Sequence, residues 1–143
     1  MANILIVDDE PGVRRLLQRC MEGLGHDIYE AESADAALAM MEKVPMAVVF
    51  CDIQMPGKDG LWLTMEIRRR HPVSSVVLAT SVSTVPPRIS LQSGVLAYLV
   101  KPFHPGAVRD AVGIALEWHA GAASLAPRPD AEDWLPRWLN SLG

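Results

Sequence analysis

With 143 residues, half of them hydrophobic, and a formal net charge of −4, the chain has material for one domain with a real core and too little for two ordinary ones. The negative balance argues against a broad surface for nucleic-acid phosphates, and no apolar stretch approaches the roughly 20 residues of a bilayer-crossing helix. The Met1-Ala2-Asn3 start lacks the basic segment of a secretory signal, so the expected location is cytoplasmic, without membrane attachment.

Ile4-Leu5-Ile6-Val7 reads as a short buried strand, and it ends in Asp8-Asp9. Val13, Leu16, Leu17, Cys20, Met21 and Leu24 then recur at three and four, the stripe of an amphipathic helix closed by Gly25. Asp27 to Ala31 is a short second strand. Ser33 can cap a helix whose inner face is Ala34, Ala37, Leu38 and Met41 and which ends before Pro45. The apolar run from Met46 to Cys51 is a third strand, closed by Asp52. After a loop containing Pro56 and Gly57, Gly60 opens a helix through Leu63 and Ile67; Arg68-Arg69-Arg70 suits its negative carboxyl end as a solvated terminus, and His71-Pro72 stops it.

Val76-Val77-Leu78-Ala79 is a fourth strand ending in Thr80, and a short irregular helix is expected around Arg88 to Gln92. Val95 to Val100 is a fifth strand that runs into Lys101-Pro102. Phe103-His104-Pro105 starts the last helix, with Pro in its first turn and Val108, Ala111, Val112, Ala115 and Leu116 as its buried stripe. Gly121 to Asp130, rich in Ala, Pro and Gly, reads as a linker. A domain over residues 1–120 would thus be followed by a linker and short helical tail over 121–143. Cys20 and Cys51 lie in apolar segments without metal-ligand spacing and read as reduced core thiols. His26, His71, His104 and His119 are scattered and read as loop or helix-end residues.

Alternation of helices with nearly continuous apolar strands implies a parallel sheet covered on both faces, a doubly wound α/β sandwich. Ligands of such sheets bind beyond the carboxyl ends of the strands. Here those ends deliver Asp8, Asp9, Asp52, Thr80 and Lys101, a set suited to a divalent cation and a phosphoryl group. Asp52 stands out, because an acid that closes a buried apolar run is costly unless it has a partner.

The ordered segments Ile4-Leu5-Ile6-Val7-Asp8-Asp9-Glu10, Cys51-Asp52-Ile53-Gln54-Met55-Pro56-Gly57-Lys58-Asp59-Gly60, Ala79-Thr80-Ser81 and Gly94-Val95-Leu96-Ala97-Tyr98-Leu99-Val100-Lys101-Pro102-Phe103 closely resemble the receiver domain of two-component response regulators, of the chemotaxis-receiver kind. The resemblance implies a flavodoxin-like, five-stranded parallel sheet of order 2-1-3-4-5 with helices on both faces. It implies that Asp52 accepts a phosphoryl group from a histidine kinase or phosphotransfer protein. It also implies Mg²⁺ held by Asp9, Asp52 and the main-chain carbonyl of Gln54, with Asp8 acting through water. Lys101 would bind the phosphoryl oxygens, and the Lys101-Pro102 peptide would be cis. Thr80 and Tyr98 would form a switch pair that alters the surface made by the fourth helix, fifth strand and fifth helix. So read, the chain is a signalling switch that catalyses only its own phosphoryl transfer and dephosphorylation. It would act on a downstream protein partner or a severed output domain, without binding nucleic acid through this segment, and with homodimer formation as a further option.

Three features depart from the family pattern. The stretch between Thr80 and Lys101 is slightly short and carries Pro86-Pro87 where the fourth helix would begin; proline enters a first turn but not an interior, so that helix is expected to be short, shifted or irregular. His104 replaces the Asp cap common before Pro105, which weakens the cap. Gln54 and Val82 flank the path of hydrolytic water in the family and should influence the lifetime of the phosphorylated state. In the tail, Trp134, Leu135, Trp138, Leu139 and Leu142 would line one side of a short helix, expected to dock on the domain or a neighbouring chain. The competing functions are weaker. A receiver-fold binding module acting without phosphorylation would not need the intact acid, hydroxyl and lysine set. A dehalogenase-type phosphatase also uses an aspartyl nucleophile but requires a second acid where Gln54 stands. Neither G-x-G-x-x-G nor a Walker A sequence occurs.

Overall fold

A computed structural model describes residues 2–80 and 95–125. Its elements are β1 (Asn3–Val7), α1 (Pro11–Cys20), β2 (Asp27–Ala31), α2 (Ala34–Lys43), β3 (Val48–Asp52), α3 (Gly60–Arg70), β4 (Ser75–Thr80), β5 (Val95–Val100) and a last helix, α4 (Pro105–Leu125). Val82, Pro86-Pro87, the helix expected around Arg88 to Gln92, and the tail with Trp134, Leu135, Trp138, Leu139 and Leu142 lie outside the described residues.

All strand pairs are parallel, in the order β2-β1-β3-β4-β5. The side-chain period of two divides each central strand between two apolar layers. Leu5, Val7, Val49, Cys51 and Leu78 face α2 and α3, where Ala34, Ala37, Leu38, Met41, Leu63 and Ile67 meet them. Ile4, Ile6, Val48, Phe50 and Val77 face the opposite way onto Leu17, Cys20 and Met21 of the α1 segment and Val108, Ala111, Val112 and Ala115 of α4. Both faces being covered explains why these strands are apolar without alternation. Cys20 and Cys51 are free thiols inside these layers.

Local signals set the helix ends. The Ser33 hydroxyl accepts the Ala36 N–H at 3.1 Å, and Asp59 accepts the Trp62 N–H at 2.9 Å. His104 caps α4: its Nδ1 accepts the Gly106 N–H at 3.0 Å, so an imidazole nitrogen takes the place of a carboxylate oxygen. At the basic end of α3, Arg69 and Arg70 pair with Glu66. Arg68 is not simply solvated; it donates to the Pro72 carbonyl and lies over the Trp118 ring.

The last helix crosses the composition break at Gly121 and continues to Leu125. Ala122 is buried there, and alanine's helix propensity outweighs one glycine. No described helix is long and apolar enough to cross a membrane.

Candidate functional site

Because every strand of the sheet runs in the same direction, all the carboxyl ends lie at one edge. β1 and β3 are neighbours, with Val7 opposite Cys51, so Asp8 and Asp52 emerge side by side. Lys101 leaves β5 two strands away, and its ammonium reaches both: Nζ is 3.0 Å from Asp8 Oδ2 and 3.4 Å from Asp52 Oδ2. The Lys101-Pro102 peptide is cis. Asp8 and Asp52 are buried, at 1% and 4% exposure, whereas Asp9 and Glu10 are exposed.

Each buried acid also takes a main-chain donor two residues on. Asp8 Oδ1 accepts the Glu10 N–H at 2.9 Å, and Asp52 Oδ1 accepts the Gln54 N–H at 3.1 Å. Desolvation, followed by the charge of Asp8, pushes the Asp52 carboxyl above its ordinary value; Lys101 and the Gln54 amide oppose this without reversing it. Burial alone would lower the Lys101 ammonium, but the Asp8 hydrogen bond and the two carboxylate charges outweigh it and leave it raised. The pocket thus holds more negative than positive charge, and Asp52 bears the imbalance. Desolvation, then Asp52, Asp59 and Asp8, keep the Cys51 thiol protonated far above its usual range, so Cys51 is an inert packing residue behind the nucleophile candidate.

Carboxylate oxygens of Asp8, Asp9 and Glu10 can lie within 4.8 Å of one another. These are hard oxygen donors, the kind a small divalent cation takes. Both Asp8 oxygens are already engaged, by Glu10 and Lys101, which leaves Asp9 and Glu10 as the more open donors of this trio. The sequence pattern alone does not single out Glu10. Its position directly after the Asp pair was the available signal, obscured because Glu before Pro11 also reads as an ordinary helix entry.

Thr80 ends β4 opposite Val100, one residue beyond the Asp52–Ala79 pair, and Tyr98 stands opposite Leu78. A close approach fixes the other wall: the start of α3 lies against the Asp52 main chain, and a Cβ on Gly60 would strike the Asp52 carbonyl and Ile53 Cα.

Comparison with known proteins gives the family and the fold. Residues 4–113 match the family described as the response regulator receiver domain. The chain is 36% identical over 142 residues to the transcriptional regulatory protein AruR of Pseudomonas aeruginosa, covering 95% of this chain and 58% of that protein. It is 36% identical over 101 residues to the DNA-binding transcriptional regulator NtrC of Salmonella typhimurium, covering 70% of this chain and 22% of that protein. It therefore spans little more than half of the first relative and under a quarter of the second. The receiver domain of NtrX from Brucella abortus superposes with a TM-score of 0.75 at 33% identity, covering 80% of this chain and 98% of that one. A CheY-like receiver domain protein from Methanospirillum hungatei shares the fold, with a TM-score of 0.78 at 24% identity and coverage of 84% and 97%. With a parallel sheet of order 2-1-3-4-5, two buried acids sharing one lysine at its carboxyl edge, and a family match over most of its length, the chain belongs to the response regulator receiver domains of two-component signalling.

Proposed function

We propose that Asp52 is the phosphoacceptor of a two-component switch, receiving its phosphoryl group from the phosphohistidine of a histidine kinase or phosphotransfer protein. The observation that carries this reading is the shared ammonium, with Lys101 Nζ between Asp8 and Asp52. A buried carboxylate flanked by an acid and a lysine suits attack on a phosphorus atom, with the lysine taking the phosphoryl oxygens as a point charge. Catalysis then rests on position and charge rather than on a general base.

The donor set fits Mg²⁺: Asp9, Asp52 and the Gln54 main-chain carbonyl would hold it, with Asp8 acting through water, as the family resemblance implies. When bound, the cation supplies the positive charge that lets an anionic donor approach clustered carboxylates. Asp52 breaks the phosphorus–nitrogen bond of the donor by forming an acyl phosphate, and the histidine leaves. Thr80 and Tyr98 form the switch pair: the Thr80 hydroxyl turns toward the phosphoryl group and Tyr98 moves into the space released. The surface of β5, α4 and the segment between β4 and β5 then meets a protein partner or output domain. Residues 1–143 do not themselves bind nucleic acid on this reading, and the chain acts in the cytoplasm.

The test is incubation with a small phosphodonor and Mg²⁺, read by intact mass. The parent should gain one phosphoryl group, and Asp52→Asn or excess chelator should abolish the gain. Labelling of the Asp52→Asn protein at the parental level would remove Asp52 from the role.

A further inference from the structure

The connection from β1 to α1 carries Asp8, Asp9 and Glu10, and Arg14 grips it from α1. Arg14 stands early in α1, where helical side chains lean back toward the amino terminus. Its Nη1 donates to the Asp8 carbonyl at 2.6 Å, and its Nε donates to Glu30 Oε1 at 3.1 Å. Glu30 pairs in register with Ile6, so the guanidinium joins α1, the end of β1 and β2. The Arg14 side chain is 15% exposed and that of Glu30 40%, so the bond to the Asp8 carbonyl is the better protected of the two.

We propose that Arg14 is a positioning residue for the cation site: by holding the main chain at Asp8 it keeps the loop that carries Asp8 and Asp9 in one form. The inference rests on the functional reading only in taking a divalent cation as the ligand.

Two effects oppose each other here. A guanidinium beside an acid cluster weakens cation binding through its charge. Glu30 against Nε offsets that charge, so the pair presents little net charge to the site and the geometric effect remains. Neighbouring carboxylates repel, and an untethered loop would let them separate. The tether holds them before the cation arrives, so that ordering is not a cost of binding. Lysine would be a poor substitute, because one ammonium lacks the planar fork that serves two acceptors at fixed angles.

The test removes the tether without changing net charge, by combining Arg14→Ala with Glu30→Gln, and uses Arg14→Lys as a milder variant. Calorimetry gives the Mg²⁺ dissociation constant, melts in chelator report folding, and phosphodonor labelling is run at limiting and saturating Mg²⁺. The constant should rise about tenfold in the charge-balanced variant, the scale typical of lost outer-shell support, and by less in Arg14→Lys. Labelling should slow at limiting Mg²⁺ and recover at saturation. An unchanged or smaller constant overturns the proposal. So does labelling that stays slow at saturation, since that places Arg14 in the transfer step or in folding. A parent that binds Mg²⁺ but takes no phosphoryl group overturns the functional reading alone, and the constants still decide the role of Arg14. A parent that binds no Mg²⁺ overturns both.

Discussion

Asp52 is a buried carboxylate that receives one main-chain hydrogen bond from Gln54 and shares one ammonium with Asp8. Its carboxyl is raised above the ordinary 3.8, with burial as the largest cause and Asp8 next. A raised folded-state value means that the folded protein holds this proton more tightly than the unfolded chain does. Without Mg²⁺, this group therefore favours folding most below 3.8, and that stability is lost as the pH rises through the folded value. Asp52→Asn keeps an oxygen for the Gln54 N–H and removes the opposed charge. The variant should be more stable than the parent at neutral pH in chelator, on the order of 1 kcal/mol, and lose this part of the pH dependence. Urea melts of both proteins from mildly acid to neutral pH would show it; an Asn variant that is less stable throughout would mean that Lys101 more than compensates Asp52. Lys101 shows the same sign of pH dependence in a more alkaline window. Its raised value makes its stabilisation complete below 10.5 and lost as the pH climbs through the folded value.

Among the elements, boundaries were legible where one residue's chemistry sets them. Ser33 was read as a cap and is one. The alanine and leucine face of α2 was read from its spacing, and Ala34, Ala37, Leu38 and Met41 are buried as expected. The extension of α4 past Gly121 was not legible, because composition reports glycine and alanine without showing that Ala122 has a buried place to go. Nor does composition show that an imidazole can cap: a pattern search looks for a carboxylate at position 104, whereas the helix needs only an acceptor within reach of the Gly106 N–H. Gly60 was read as a helix opener, yet its reason is long-range. Its lack of a Cβ lets the start of α3 lie against the main chain of Asp52, and its N–H donates to the Ile53 carbonyl at 3.0 Å. Gly60→Ala would set a methyl group against backbone that cannot rotate away. It should cost about 2 kcal/mol and slow labelling of Asp52, because relief requires moving α3 or the end of β3. Parental stability and labelling in Gly60→Ala would show that the loop absorbs the methyl group.

At the scale of the whole molecule, the upper edge of the sheet was readable and the lower edge was not. Parallel strands bring all their carboxyl ends together, so Asp8 and Lys101, 93 positions apart, could be assigned to one pocket from their places after apolar runs. The strand order itself came from family resemblance, since periodicity cannot rank parallel neighbours. At the opposite edge, α4 is latched to the turn between α3 and β4. His119 Nδ1 is 2.7 Å from the Val73 carbonyl; a carbonyl only accepts, so Nδ1 carries the proton. One residue earlier the Arg68 guanidinium lies 5.1 Å from the Trp118 ring centroid while Arg68 Nη1 donates to the Pro72 carbonyl. Nothing in the spacing of His119 or Trp118 announces these partners, the Val73 carbonyl lying 46 residues earlier. His119→Ala should cost about 1 kcal/mol for the lost hydrogen bond, and a double-mutant cycle on Arg68→Ala and Trp118→Ala should return a coupling of about 0.5–1 kcal/mol. Because the contacts lie in the second half of α4, either loss should loosen the helix locally. Amide exchange from Ala120 to Ala123 should accelerate, while Val108 to Ala115, packed on Phe50 and Val77, should keep its protection. Exchange that rises evenly along α4 would make these contacts part of the common core and refute a local latch.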